Sequence, residues 1–229
     1  MSAEIQKNHN FDAIYVAKAY NDIAPHFSQT RSYLWPGVID FYDLIPKNSF
    51  IADIGCGNGK NIDNSYTKEK NLTCFGCDIT QYFLDVCKND NKSVIKANNL
   101  YLPFKDNFFD AVLSVAVIHH FSNHEDRIKS IQEIFRITKS NGIFLIQIWA
   151  QEQETDSKKL FKHGDNLVPW SLRNPKNKQM ELASVDRYYY IFNKISFYNI
   201  LQEALADKSY EIFKYFYQKG NWVAFIKKF

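Results

Sequence analysis

Apolar residues in this chain recur with two different periods, and the alternation between those periods outlines a fold before any chemistry is considered. Residues 11–33 predict a helix followed by an irregular segment broken at Pro25. A second helix is predicted to open near Pro36, because a proline suits a first helical turn, where its missing N–H leaves nothing unpaired. Leu34, Val38, Phe41, Tyr42 and Ile45 keep helical spacing there, and Pro46 ends it. Phe50–Ile54 then reads as a short apolar strand running into Gly55-Cys56-Gly57-Asn58-Gly59. A second strand, Leu72–Cys77, ends at Asp78, and Thr80 is placed to cap a helix whose inner face carries Phe83, Leu84 and Cys87. A third strand covers Ser93–Ala97, and a fourth, Ala111–Val117, follows the turn-prone Lys105-Asp106-Asn107.

Ser122 and Glu125 have capping-box spacing for a helix that buries Ile128, Ile131, Ile134 and Phe135, with Gly142 as its stop. Ile143–Trp149 makes a fifth strand. Strands alternating with helices at this spacing imply a doubly wound, mostly parallel α/β sheet with helices on both faces. Residues 151–187 break the rhythm. They are polar and basic, with Lys158, Lys159, Lys162, Arg173, Lys176 and Lys178, and show no clear period. They read as a substrate-facing insert within a single domain of residues 1–229. Tyr188–Phe192 resumes strand character, and Phe197, Ile200, Leu201, Ala204 and Leu205 mark a helix. Tyr210–Tyr217 and Trp222–Phe229 flank Lys219-Gly220-Asn221, an antiparallel hairpin signal.

Composition adds exclusions. A hydrophobic content of 45% and a charged content of 23% are those of an ordinary globular protein. The net charge of +3 is too small to announce a nucleic-acid binder by itself. No apolar run approaches the ~20 residues of a membrane helix. The polar N-terminus lacks the apolar core of a secretory leader, so an intracellular, cytoplasmic setting is expected. Cys74-x-x-Cys77 invites a metal reading, but strand alternation puts its members on opposite faces and no second pair matches it, so no metal site is expected.

The candidate chemistry lies in Asp53-Ile54-Gly55-Cys56-Gly57-Asn58-Gly59, at the hand-over from strand to helix where open α/β sheets bind ligands. A dinucleotide fingerprint fails because Lys60 stands at the third glycine position, and no Walker lysine spacing is present. A ligand without phosphates, such as S-adenosylmethionine, fits better. Asp53 is placed for its ammonium, the N–H groups of Gly55 and Gly57 for its carboxylate and sugar, and Asp78 for the ribose hydroxyls.

Here the sequence resembles the class I S-adenosylmethionine-dependent methyltransferases, through D-x-G-x-G-x-G and through Leu102-Pro103-Phe104…Phe109-Asp110. The resemblance implies an adenine contact after the third strand, where Asn98 stands in place of the usual Asp, and puts Ala116 and Val117 beneath the methionine arm. Tyr20-Asn21-Asp22-Ile23-Ala24-Pro25-His26-Phe27-Ser28-Gln29-Thr30-Arg31, His119-His120-Phe121-Ser122, Trp149-Ala150, Val168-Pro169-Trp170 and Arg187-Tyr188-Tyr189-Tyr190 narrow it. Together they resemble the eukaryotic tRNA methyltransferases that esterify 5-carboxymethyluridine at the anticodon wobble position.

That resemblance implies Tyr20 near the cofactor and Arg31 as a fork for the uridine carboxylate or a phosphate. It implies Trp149 as a stacking surface for the flipped base, and His119 or His120 as a hydrogen-bonding partner of base or carboxylate. The implied partners are a tRNA anticodon stem-loop and a small zinc-binding activator subunit docking on the third strand, Ser93–Ala97. A small-molecule methyltransferase and a non-catalytic scaffold of the same fold are the alternatives.

Overall fold

Two apolar clusters on opposite sides of one sheet organise the molecule, and the strand residues reach them alternately. In the computed structural model, which describes residues 7, 10–30, 33–157, 160–173 and 181–229, a seven-stranded sheet runs in the order β3-β2-β1-β4-β5-β9-β8. Its members are β1 (Phe50–Ile54), β2 (Thr73–Asp78), β3 (Val94–Lys96), β4 (Phe109–Val115), β5 (Thr138–Trp149), β8 (Tyr210–Gln218) and β9 (Asn221–Lys228). The first five pair in parallel; β9 runs antiparallel between β5 and β8. Ala52, Ile54, Val112, Phe144 and Ile146 face one side. They pack there against α5 (His124–Ile137) and α6 (Lys194–Ala204). Ile51, Leu113, Leu145 and Phe225 face the other, against α2 (Pro36–Leu44). Cys74 and Cys77 fall on these opposite sides, as alternation requires.

Pro36 opens α2 as expected, and Phe83, Leu84 and Cys87 are the buried residues of α4 (Gln81–Asn89). The turn of the closing hairpin is the pair Lys219-Gly220, both at positive φ (46° and 73°), the geometry of a tight primed turn. In α6 the Asn193 side chain accepts from Ser196 N while the Ser196 hydroxyl accepts from Asn193 N. Asn193→Ala removes this reciprocal cap, and a loss of about 1 kcal/mol is expected in a denaturant midpoint at unchanged slope.

Several local expectations are corrected. The first helix is not broken at Pro25: a π-helical stretch, Ala13–Lys18, leads into α1 (Ala19–Gln29), which continues through the proline. A proline inside a helix costs about 3 kcal/mol. Ala19, Ile23 and Ala24 are buried on the same helix, and tertiary packing outweighs the local penalty. A short helix, α3 (Ser65–Glu69), forms where none was expected, on an Asn64–Thr67 capping box. Thr80 precedes α4 without a side-chain cap; its N–H is held instead by Asp78 Oδ1 at 2.8 Å.

Strand β4 stops at Val115, because Ala116 turns to φ 61°. Asn123, not Ser122, caps α5, while the Ser122 N–H goes to Asp12. Gly142 does not stop that helix, which ends as the Thr138 hydroxyl donates to the Ile134 carbonyl. The glycine lies within β5, where a Cβ would come within 2.9 Å of the Asp110 carbonyl.

The segment expected to be an excursion without periodicity is largely regular. β6 (Gly164–Arg173) and β7 (Glu181–Ile191) form a separate antiparallel ribbon. Pro169 and the polar residues of β6 hide the period in the sequence. The ribbon leans on α1, where Trp170 Nε1 donates to His26 Nδ1 at 3.0 Å. Of the basic residues expected there, Lys162 is exposed, while Lys158, Lys159, Lys176, Lys178 and the side chain of Arg173 lie outside the described residues.

Candidate active site

The carboxyl ends of β1, β4 and β5 open into a cavity of about 1430 Å³, roofed by the first helices and the base of the ribbon. One end is built by the glycine loop. Gly55 sits at φ 78°, and a Cβ there would overlap Val117. The loop therefore needs glycine at this position on both conformational and steric grounds. Gly57 N donates to Asp78 Oδ2 at 2.9 Å, and nothing lies within 4 Å of where its Cβ would be, so the loop faces open space.

Asp78 lines the cavity at the end of β2. Its Oδ2 accepts the Gly57 N–H and its Oδ1 the Thr80 N–H, which fixes the carboxylate at the cavity wall, where it can accept a ligand hydroxyl. Asp53 is one layer deeper than expected. It has no exposed surface, and Asn61 Nδ2, whose residue does reach the wall, donates to its Oδ2 at 3.1 Å. Its other oxygen, Oδ1, is buried without a partner. Burial pushes the Asp53 carboxyl up to about 7, against a small lowering by the Asn61 hydrogen bond. Burial raises Asp78 as well.

The folded chain therefore retains a proton on Asp53 that the unfolded chain has released between roughly pH 4 and 7. Stability declines as pH rises through that window. A ligand bringing an ammonium to this end favours the ionised carboxylate. Below about pH 7 its binding should release a proton, with affinity rising at most tenfold per pH unit and levelling above. Calorimetry with S-adenosylhomocysteine at pH 6, in buffers of different ionisation heat, measures that proton.

At the end where the resemblance puts adenine, Asn98 lines the cavity, with its Oδ1 accepting from Leu100 N at 2.9 Å. The buried Asn99 beside it also reaches the wall and was missed from the sequence. Ala116 lies between the loop and the far end, its left-handed turn fixed by an N–H bond to the Gln147 carbonyl at 2.8 Å.

The far end is aromatic. Tyr20, expected near the cofactor, belongs here. Its hydroxyl lies 3.0 Å from His120 Nε2 and 3.0 Å from the Tyr189 hydroxyl. His120 Nδ1 lies 2.9 Å from the Tyr188 carbonyl and must donate to it, so Nε2 accepts from Tyr20. His119 has the opposite tautomer: its Nδ1 accepts from the Trp149 N–H at 3.0 Å, leaving the proton on Nε2, which is buried without a partner. Burial is the main cause holding both histidines neutral, pushing His120 down to about 3 and His119 well below the usual histidine range.

Trp149 is already stacked, parallel to Tyr189 at 4.2 Å and against Phe161 at 5.4 Å, so the expected base platform is part of an aromatic stack. Tyr189 was missed as a site residue. Its signal was alternation along the Arg187–Tyr190 motif. Arg31 lies outside the described residues.

Residues 52–146 match the family described as "Methyltransferase domain". The tRNA (carboxymethyluridine(34)-5-O)-methyltransferase of Schizosaccharomyces pombe is 35% identical over 93% of this chain and 96% of its own length. The chain belongs to the tRNA carboxymethyluridine methyltransferase family. Proteins of the same name from Xenopus tropicalis and Arabidopsis thaliana are 31% and 42% identical over 93% and 62% of this chain. They are longer: this tRNA carboxymethyluridine methyltransferase homologue spans 41% and 34% of their lengths.

The fold recurs in a Burkholderia thailandensis 1,6-didemethyltoxoflavin-N1-methyltransferase solved with S-adenosylhomocysteine (TM-score 0.69, 13% identity, 100% of this chain and 93% of that one). It recurs also in an S-adenosylmethionine-dependent methyltransferase from Methanosarcina mazei (TM-score 0.60, 19% identity, 85% and 98%). The cofactor of this chain is S-adenosylmethionine. The residues present fit it: the unpartnered Asn61 Oδ1 at the wall, with Asp53 behind it, for a cation, Asp78 for hydroxyls, and open space over Gly57.

Proposed function

We propose that this enzyme converts 5-carboxymethyluridine at the tRNA wobble position to its methyl ester in the cytoplasm, together with a small zinc-binding activator subunit. The observation that carries this reading is the far wall of the cavity: two neutral histidines, a buried unpartnered His119 Nε2–H, and an aromatic stack. A methyltransferase acting on an amine or hydroxyl needs a group to take a proton. A carboxylate is already ionised at neutral pH, so it needs a donor to orient it and a dry wall against which to align.

S-adenosylmethionine, when bound, supplies an electrophilic methyl on a sulfonium. The His119 N–H orients one carboxylate oxygen, and the stack of Trp149, Tyr189 and Phe161 flanks the base and excludes water. Since His120 has both ring nitrogens engaged, the substrate contact falls to His119. Tyr33, 87% exposed on the cavity rim, and Lys60 beside it suit an RNA strand entering the mouth.

The activator reading is supported by the sheet edge. β3 is the last strand on its side, with Ile95 45% exposed and Ile79 and Tyr82 exposed nearby, a template for strand addition. The test is mass analysis of wobble nucleosides after incubating carboxymethylated tRNA with cofactor, chain and activator. Methyl ester at the wobble uridine is expected. Unchanged carboxymethyluridine, with the activator verified as bound, would remove this assignment.

A further inference from the structure

Arg187 is a buried cation packed among aromatic rings. It is 3% exposed in the ribbon strand β7, and among the described residues no carboxylate lies within ion-pair distance. Its Nη1 donates to the Tyr189 hydroxyl at 2.6 Å, and its Nε–H is buried without a partner. Its guanidinium carbon lies 4.7 Å from the Trp170 ring and 5.1 Å from the Tyr189 ring. Two acids of the ribbon and roof have other partners: Asp165 pairs with Lys7 and accepts from the Tyr188 hydroxyl, and Asp12 Oδ2 accepts from Ser122 N. A guanidinium removed from water normally requires a carboxylate, and an uncompensated one raises the positive potential of everything around it.

That potential falls on the far wall of the site. From Arg187 the donors run in one direction: Arg187 to Tyr189, Tyr189 to Tyr20, Tyr20 to His120, and His120 to the Tyr188 carbonyl. Tyr189, Tyr20 and His120 all line the cavity, and Arg187 stands behind them. Its charge also opposes protonation of both His119 and His120, so its field reaches the wall where the reacting group would rest.

We propose that Arg187 is a specificity-determining positioning residue, whose buried charge favours an anionic carboxymethyl base over the isosteric neutral carbamoylmethyl base and over the neutral ester product. The proposal rests on the substrate reading above. It gives product release a physical cause. Transfer moves the methyl from sulfur to a carboxylate oxygen, with the bonding pair left on sulfur, and the attraction that held the anion disappears with its charge. At an effective dielectric of ~20, a charge pair on the order of 8 Å apart is worth roughly 10- to 100-fold in affinity.

The test uses chain plus activator and two anticodon stem-loops, one carrying carboxymethyluridine and one the carbamoylmethyl analogue. The acid is followed by single-turnover methylation, and the amide by its inhibition of that reaction. Wild type should prefer the acid roughly 10- to 100-fold. Arg187→Met should bring the preference to within about threefold, with S-adenosylhomocysteine affinity unchanged. Arg187→Lys keeps the charge without the fork and should restore most of the preference.

A folded Met variant that keeps the wild-type preference overturns the proposal. So does a Lys variant that loses it, and if the Met variant does not fold the Lys result decides alone. A wild type without any preference overturns it before a variant is made. A wild type that fails to methylate the carboxymethyl RNA overturns the substrate reading instead, so the two failures are distinct.

Discussion

Gly55→Ala should abolish cofactor binding while leaving a folded chain. Gly55 sits at φ 78°, and the added methyl would overlap Val117, which follows β4 on the same cavity wall. The left-handed backbone costs an alanine about 1–2 kcal/mol, and the overlap forces the loop or Val117 to move as well. Either movement drags Gly57 N away from Asp78 Oδ2, the bond that fixes loop to strand end. At least ~100-fold loss of S-adenosylhomocysteine affinity is expected, with a fall of several degrees in thermal midpoint. Gly57→Ala shares the positive φ (54°) and puts its methyl into the space the cofactor would fill, so it should lose affinity too, but its Cβ meets no protein atom and its thermal midpoint should fall less. Equal falls in thermal midpoint for the two variants would contradict the account of the loop.

The second large effect falls on the chemical step. His119→Phe keeps a planar ring in a fully buried position but removes the Nε2–H and the acceptor for the Trp149 N–H. Loss of a single preorganised donor at a reacting oxygen costs on the order of 100-fold in rate. The expected outcome is a fall of that size in kcat, with S-adenosylhomocysteine affinity within about threefold of wild type. His120→Phe should act more weakly and through packing, because both nitrogens of His120 are spent on Tyr20 and the Tyr188 carbonyl. Since both histidines stay neutral down to acid pH, kcat at saturating cofactor should show no histidine inflection between pH 6 and 8. An inflection there that disappears in His119→Phe would assign His119 a proton-transfer role and contradict this account.

Much of the frame was legible in the sequence because its signals are local. The apolar run Phe50–Ile54 is bounded as observed, and the glycine loop follows it directly. The closing hairpin announces itself by Lys219-Gly220, the residues that accept positive φ. What failed was set by contacts distant in the chain. Pro25 stays helical because of what its neighbours bury, and Gly142 is glycine because the Asp110 carbonyl crosses close by. The ribbon was missed because Pro169, Asp165 and Asn166 obscure its alternation.

At the site, the residue types were readable but their depth was not. Asp53 lies behind Asn61, Tyr20 joins the histidine network, and Trp149 has Tyr189 for a neighbour. The choice between adjacent histidines required knowing that the Tyr188 carbonyl and the Trp149 N–H take opposite sides. Sequence spacing carries no record of that.

The central claim is that the turn after β1, with Asp53 and Asp78, is where S-adenosylmethionine binds. Calorimetric titration of S-adenosylhomocysteine into the intact chain with its activator, beside Gly55→Ala, tests it most directly. One equivalent bound by wild type, competed by S-adenosylmethionine and lost in the variant, is the predicted result. Absence of heat in a folded wild type, or binding that survives Gly55→Ala undiminished, would contradict it.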